Sequence, residues 1–259
     1  MPANCPSLRV VVIIPCLDEE AVIGRVVAEM RRQALVKRVI VVDNGSTDES
    51  ARVAREAGAH VIAEPQRGYG RACLTGVSDA VDADVYLFVD GDGSDSADEA
   101  QDLLRPIVEG QADMVIGSRV AGRIERGAMT LPQRFGSRLA ALLMQLRWGY
   151  RYTDLGPFRA IARGSYERLE MSAKTYGWTV QMQARALKHD LRVVEVPVTY
   201  KCRVGVSKIS GTVKGVVLAG FHILTTIGWE AVTRPFRWRT GPSARADAGL
   251  PARSSEVAP

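Results

Sequence analysis

Residues 88–95 read FVDGDGSD, three aspartates and two glycines at the end of the apolar run 85–89. Carboxylates this close repel one another unless water or a cation relieves them. Two carboxylates one residue apart can share a hard divalent cation, Mg²⁺ or Mn²⁺, and leave open positions for phosphate oxygens. A cation so placed bridges a diphosphate and neutralises the charge that grows as it leaves. Asp90 and Asp92 are the candidate metal ligands, and Gly91 and Gly93 let a ligand approach the backbone. A calcium loop of the EF-hand kind is excluded. Counted from Asp90, position 6 is Asp95 where glycine is needed, and position 12 is Gln101 where glutamate is needed. On these residues alone a solvated polar turn remains the other reading.

Strands must deliver such a loop. RVVVIIP (9–15) is a continuous apolar run of the kind buried on both faces of a parallel sheet. Residues 39–42, HVIAE (60–64), DVYLFVD (84–90) and DMVIGSRV (113–120) read as further strands. Between them come helical patterns. Asp18 can cap one that carries Val22, Ile23, Val26, Val27 and Met30, and Ser46 or Thr47 a second that ends at Gly58. RGYGRACLTGVSDAV (67–81) is a glycine-bearing loop running into a third, and SADEAQDLLRPIVEG (96–110) a fourth with a break near Pro106. The alternation predicts an α/β fold with a mostly parallel central sheet and helices on both faces. Ligands of open α/β sheets bind at the carboxyl ends of the strands, where the Asp-x-Asp stands.

The second half departs from this alternation. Residues 121–133 are polar and glycine-rich and predict a mobile loop. An amphipathic helix over 133–148, a turn and strand over 153–162, a helix over 179–190 and a strand over 191–201 follow. Residues 215–229 carry no formal charge, but 15 residues fall short of the roughly 20 that a membrane span requires. They read as a helix lying at an interface or on the core, with RPFRWR (234–239) beyond it. From Thr240 onward the composition predicts a disordered tail.

The chain has 259 residues and a formal net charge of +5. Residues 201–259 hold nine basic and three acidic side chains, so the basic excess belongs to the C-terminal quarter. That asymmetry points to phosphate groups or an anionic membrane surface. No nucleic-acid-binding motif accompanies it. The four cysteines have no metal or redox spacing and read as reduced structural thiols. No signal-peptide pattern opens the chain. Neither a dinucleotide-binding G-x-G-x-x-G after the first strand nor a phosphate-binding G-x-x-x-x-G-K-[ST] loop is present.

IPCLDEE (14–20), VVDNGSTDES (41–50), RGYGRA (67–72), FVDGDGSD (88–95) and IGSR (116–119) occur in this order. Together they resemble the family 2 glycosyltransferases of the GT-A fold, with the dolichol- or polyprenyl-phosphate mannosyltransferase-like branch as the nearest type. The resemblance covers about residues 9–230. It implies a nucleoside diphosphate sugar donor, GDP- or UDP-linked, and a polyprenyl phosphate acceptor. Pro15, Leu17 and Glu19 would line the nucleoside pocket, Asp43 would meet the base or ribose, and Asp48 would support that loop. Gly70 and Arg71 would flank the nucleotide, and Asp90 and Asp92 would hold the metal and diphosphate. Ser94 stands where that branch often has glutamine.

RVGVSKISG (203–211) resembles a phosphate-clamping segment of the same branch, so Arg203 and Lys208 would face the diphosphate or the acceptor phosphate. Arg119, with Arg134 or Arg138, would complete an acceptor-phosphate pocket. TDLGPFRAI (153–161) keeps Asp154 and Arg159 of a related motif but moves its glycine. Gln181 stands where many inverting relatives carry an acid. An alcohol acceptor needs a general base, whereas a phosphate is already anionic. Gln181 therefore favours a phosphate acceptor, and Asp154 is the candidate base for the alternative, a soluble enzyme with a hydroxyl acceptor. A non-catalytic protein that binds nucleotide sugars is the third reading. The expected organisation is a catalytic domain over 1–211, an interfacial helical extension over 212–239 and a tail over 240–259. The expected location is cytoplasmic, peripheral at the inner face of the membrane.

Overall fold

The computed structural model describes residues 8–205 and 213–233. A seven-stranded sheet runs through it in the order β3-β2-β1-β4-β6-β5-β7. β1 (Val10–Cys16) lies between β2 (Val36–Asp43) and β4 (Val85–Phe88), parallel to both, and β3 (His60–Ala63) extends β2. β6 (Arg159–Ala162) is antiparallel to β4 and to β5 (Met114–Ile124), while β7 (Val193–Tyr200) pairs parallel with β5.

The continuous apolar strands are explained by burial on both faces. Successive side chains of a strand point to opposite sides. Val11 and Ile13 of β1 join Ile40, Val42, Tyr86 and Phe88 in one core. Val10, Val12 and Ile14 join Val39, Val41 and Leu87 in the other. The first core is roofed by α3 (Tyr69–Asp79), α5 (Leu131–Trp148), α6 (Arg163–Leu169) and α7 (Trp178–Lys188). The second is covered by α1 (Ile23–Arg31), α2 (Ser50–Glu56) and α4 (Ala100–Val108). A last helix, α8 (Val213–Val232), packs on α5 and α7.

Four local expectations need correction. Asp18 does not cap α1. Its backbone is left-handed (φ 52°), and its carboxylate accepts from the Thr47 N–H at 2.7 Å, so it ties the loop after β1 to the loop after β2. Neither Ser46 nor Thr47 caps α2, whose N-cap is Glu49. Pro106 lies buried inside α4, which continues to Val108. Residues 121–124 belong to β5 rather than to a loop, because Arg123 and Ile124 resume pairing with Thr199 and Tyr200 after a register shift. Gly122 permits this approach, since a Cβ there would overlap the Val198 backbone. A turn over 125–129 then leads to Thr130, which caps α5 in a capping box with Gln133. The predicted tail from residue 240 lies outside the described residues.

Candidate active site

The strand order reverses between β1 and β4, which leaves a crevice above their carboxyl ends. Cys16 of β1 is in register with Asp43 of β2, and the loops after these strands form one wall. The Asp43 carboxylate accepts from the Ser46 N–H at 3.0 Å. Asp48 accepts from the N–H groups of Glu20 (3.2 Å) and Ser50 (3.0 Å), and so binds the two loops together. Partial burial would raise its carboxyl, but these bonds and the Ser50 hydroxyl hold it below the usual range. Pro15, Leu17 and Glu19 lie half-buried along the same rim, and the Glu19 N–H donates to Ser50 Oγ at 2.7 Å.

Asn44 is a member of this wall that the sequence reading missed. Its amide donates to the carbonyls of Glu64 and Gln66, both at 2.9 Å, and its Oδ1 accepts from the Gly68 N–H at 2.7 Å. One side chain thus shapes the loop that leads into α3. Gly70 is buried in the first turn of α3, where a Cβ would overlap the Ala173 carbonyl oxygen. Its immediate reason is therefore close packing on the 173–174 backbone. Arg71 follows, half-buried, with its N–H on the Lys174 carbonyl at 3.1 Å.

Beyond β4 the aspartates take three different stations. Asp90 Oδ1 accepts from the Tyr69 hydroxyl at 3.1 Å. Burial, then the facing charge of Asp92, pushes the Asp90 carboxyl up to about 6. Asp92 is buried, with Oδ1 on the Ser94 N–H at 2.9 Å and Oδ2 on Arg203 Nη2 at 2.8 Å. Asp95 turns back toward the end of β4. It is buried, accepts from the Asp90 N–H at 3.0 Å, and is pushed well above the carboxylate range by burial and by Asp90. The chain after β7 is fastened to this loop through Lys201 N–H to Ser94 O (2.9 Å) and Val204 N–H to Asp92 O (3.1 Å). That fastening brings Arg203 to the aspartates from more than a hundred residues away.

Asp90 and Arg203 stand in a cleft of about 460 Å³. Tyr69 and Tyr200 flank them, and Phe135, Leu139, Ile223 and Leu224 line the stretch between α5 and α8. Arg119 also reaches the cleft, but its fork is bound to Asp154, with Nε to Oδ2 at 2.6 Å and Nη2 to Oδ1 at 2.8 Å. Asp154 is 0% exposed and also accepts from the Arg119 N–H, the Ser137 hydroxyl and the Leu155 N–H. Burial alone would raise Asp154, and Arg119 with Ser137 outweighs it and holds the carboxyl low. Arg134 and Arg138 are exposed on α5 and are not among the residues lining the cleft. Lys208 lies outside the described residues.

The profile of the family described as "Glycosyl transferase family 2" matches residues 11–169, more than half of the chain. The chain belongs to the family 2 glycosyltransferases. Glycosyltransferase AglJ of Haloferax volcanii is 33% identical over 192 residues, 74% of this chain and 62% of that one. The chain thus spans less than two thirds of that relative. UDP-N-acetylglucosamine–dolichyl-phosphate N-acetylglucosaminyltransferase of Methanococcus voltae is 28% identical over 209 residues, 72% of this chain and 83% of that one. Among solved structures, glucosyl-3-phosphoglycerate synthase of Mycobacterium tuberculosis, in complex with Mn²⁺, UDP and glucosyl-3-phosphoglycerate, superposes with a TM-score of 0.71. It is 20% identical and the match covers 88% of this chain and 81% of that one, a likeness of fold. The GT-A architecture of this family 2 glycosyltransferase is the one its motifs implied.

The donor set of the transferase fits a hard divalent cation. Asp90 and Asp92 oppose each other closely enough for one to raise the other, and the Ser94 hydroxyl beside them is buried without a partner among the described residues. An oxygen-only set of this kind suits Mg²⁺ or Mn²⁺. Arg203, on Oδ2 of Asp92, already offsets part of that charge.

Gln181 of this glycosyltransferase does not face the cleft. Its Oε1 accepts from the N–H groups of Ser172 (2.9 Å) and Ala173 (2.8 Å), and its Nε2 donates to Ser172 Oγ (3.2 Å) and Glu230 Oε1 (3.1 Å). Glu230, 1% exposed, also takes Arg185 Nε at 2.8 Å and Lys188 Nζ at 2.6 Å. This clasp locks the end of α8 onto α7. Sequence reasoning missed it because an isolated glutamate in an apolar helix has no spacing signal. The charge-free run 215–229 stops one residue short of it.

Proposed function

We propose that this transferase moves a hexosyl group from a GDP- or UDP-linked sugar to a polyprenyl phosphate, with inversion at the anomeric carbon. One observation carries the acceptor: the cleft joins a charged head, Asp90 and Arg203, to an apolar wall of Phe135, Leu139, Ile223 and Leu224. A phosphate on a long hydrocarbon chain matches both ends. The relative from Methanococcus voltae, named for a dolichyl-phosphate acceptor, agrees with that reading.

The state of the carboxylates supports it as well. Asp154 is sealed in its pair with Arg119, and Gln181 faces α8. A hydroxyl acceptor would lack the base that Asp154 was expected to supply, whereas a phosphate oxygen is anionic and attacks without one. In this scheme the nucleoside rests against Pro15, Leu17, Glu19 and Asp43, in walls braced by Asp48 and Asn44, and Gly70 and Arg71 border the diphosphate. A phosphate oxygen of the acceptor bonds to the anomeric carbon as that carbon's bond to the diphosphate breaks. The nucleoside diphosphate departs with the bonding pair. Arg203 and Lys208 offset its charge, and Arg119 adds positive potential from its anchored position. Asp90 and Asp92 would hold Mg²⁺ or Mn²⁺, which would supply positive charge against the leaving diphosphate.

Transfer from labelled nucleotide sugars is measured to three acceptors: a detergent-dispersed polyprenyl phosphate, a polyprenyl alcohol, and 3-phosphoglycerate. Product on the polyprenyl phosphate alone is expected. Product on the alcohol or on 3-phosphoglycerate with none on the polyprenyl phosphate overturns the proposal.

A further inference from the structure

A surface helix ordinarily turns its apolar side to the core and its polar side to water. α5 does not. Its core side carries Ser137, Ala140, Ala141, Met144 and Trp148. Its outer side carries Leu131, Phe135, Leu142 and Leu146, with exposures of 80, 68, 50 and 76%. Together with the exposed Arg138 these fall at intervals of four, three, four and four residues, one continuous stripe along the helix. Arg134 lies beside it.

α8 repeats the arrangement. Ile227 and Glu230 face inward, while Leu218, Phe221, Trp229 and Val232 are 45, 59, 64 and 81% exposed. The two helices lie side by side and run the same way. Pro132 and Phe135 line the cleft together with Ala219 and Ile223, and Arg147 Nη2 near the other end of α5 donates to Ala231 O of α8 at 2.8 Å. The two packed helices together leave these large apolar side chains exposed, where an ordinary surface shows apolar residues singly.

Charge selects its occupant. α5 contains no acidic residue, and the single acid of α8, Glu230, is turned inward to Arg185 and Lys188. The face therefore offers Arg134 and Arg138 beside its apolar residues, with no carboxylate from either helix. A second copy of this chain is a poor match. A two-fold contact would set this arginine-bearing face against its own image. An anionic bilayer is the complementary surface: its acyl boundary takes the leucines and aromatics, and its headgroups take the arginines.

We infer that the paired outer faces of α5 and α8 are a docking surface for an anionic lipid bilayer, seated so that the cleft between the two helices opens onto the membrane. Arg134 and Arg138 then contact lipid headgroups rather than an acceptor phosphate inside the cleft. This deepens the lipid-phosphate reading: an acceptor would pass from the bilayer to Asp90 and Arg203 without crossing water. The inference needs no transfer to test, so it and the proposed activity can fail separately.

The full chain is sedimented with vesicles of phosphatidylcholine alone, and with vesicles in which about half of the lipid is phosphatidylglycerol. Strong binding to the anionic vesicles and weak binding to the neutral ones is expected. Leu142→Gln/Leu146→Gln/Trp229→Gln, three exposed positions outside the cleft lining, should lower the apparent vesicle affinity roughly tenfold or more. Its melting temperature and its nucleotide-sugar binding should match the parent chain. Arg134→Glu/Arg138→Glu should reduce binding to anionic vesicles and flatten its dependence on salt. Unchanged binding by the triple variant overturns the inference, as does a parent chain that ignores both vesicle types. So does a parent dimer that the triple variant converts to monomer, which would assign the face to a second copy.

Discussion

The Asp154 carboxylate takes both arms of the Arg119 fork, at 2.6 and 2.8 Å, in a pocket that leaves it 0% exposed. Such a pair is costly to break because the partner is left charged and buried. Asp154→Asn is expected to destabilise the fold by about 3 kcal/mol, seen as a clear loss of melting temperature. A residue serving only as a base would lose turnover at an unchanged melting temperature. The pair also has a pH signature. The folded carboxyl lies below its ordinary value of ~3.9, so its contribution is complete above that value and disappears as the pH falls through the folded value. Denaturant titrations from pH 7 downward should show a stability loss in the parent that the Asn variant lacks.

Asp92 joins the proposed metal seat to Arg203. Asp92→Ala should reduce transfer by at least about a hundredfold, the scale on which one electrostatic partner of a leaving group acts. It should also abolish the Mn²⁺-dependent part of the thermal shift produced by a nucleotide sugar. Chelation of the metal in the parent chain should remove the same part. A variant that keeps full transfer would contradict the assignment of Asp90 and Asp92.

Gly70 tests packing against ligand contact. Its missing Cβ makes room for the Ala173 carbonyl. Gly70→Ala is expected to cost on the order of 1–3 kcal/mol through overpacking. Calorimetry without nucleotide reads that loss. A parent-like melting temperature together with weakened donor binding would mean that the residue's role is at the ligand instead.

Cysteine reactivity reports the cores. Burial pushes the Cys16 thiol up to about 12 and raises Cys73 well above its ordinary value, while Cys202 is exposed. Only the thiolate reacts. Brief alkylation at pH 8 followed by peptide mapping should modify Cys202 and spare Cys16 and Cys73. Equal labelling of Cys16 would mean that β1 opens readily.

The parallel half of the fold was legible because strands buried on both faces leave unbroken apolar runs, as in 9–15. The Asp-x-Asp was legible for a related reason: its position at a strand end is fixed by local sequence. What escaped was long-range. Resemblance pointed Arg203 toward the diphosphate, but its pairing with Asp92 rests on a backbone fastening that no spacing announces, and Asn44 holds a loop twenty residues downstream. The continuation of β5 through Gly122 was hidden because polar strand residues resemble a loop until their partner strand is known. The pairing of Asp154 with Arg119 likewise depends on β5 and the turn before β6 lying side by side.

Gln181 has all four of its hydrogen-bonding positions taken, two by the 172–173 backbone, one by Ser172 and one by Glu230. That 172–174 segment is the one on which Gly70 and Arg71 rest. One amide therefore stands between the helix that walls the cleft and the turn that borders the donor crevice. A chain ending at residue 211 would take the Glu230 carboxylate away from Arg185 and Lys188 and the acceptor away from one Gln181 donor. The helix and the sheet should melt in a single cooperative transition, and a truncation there would remove a keystone rather than an appendage.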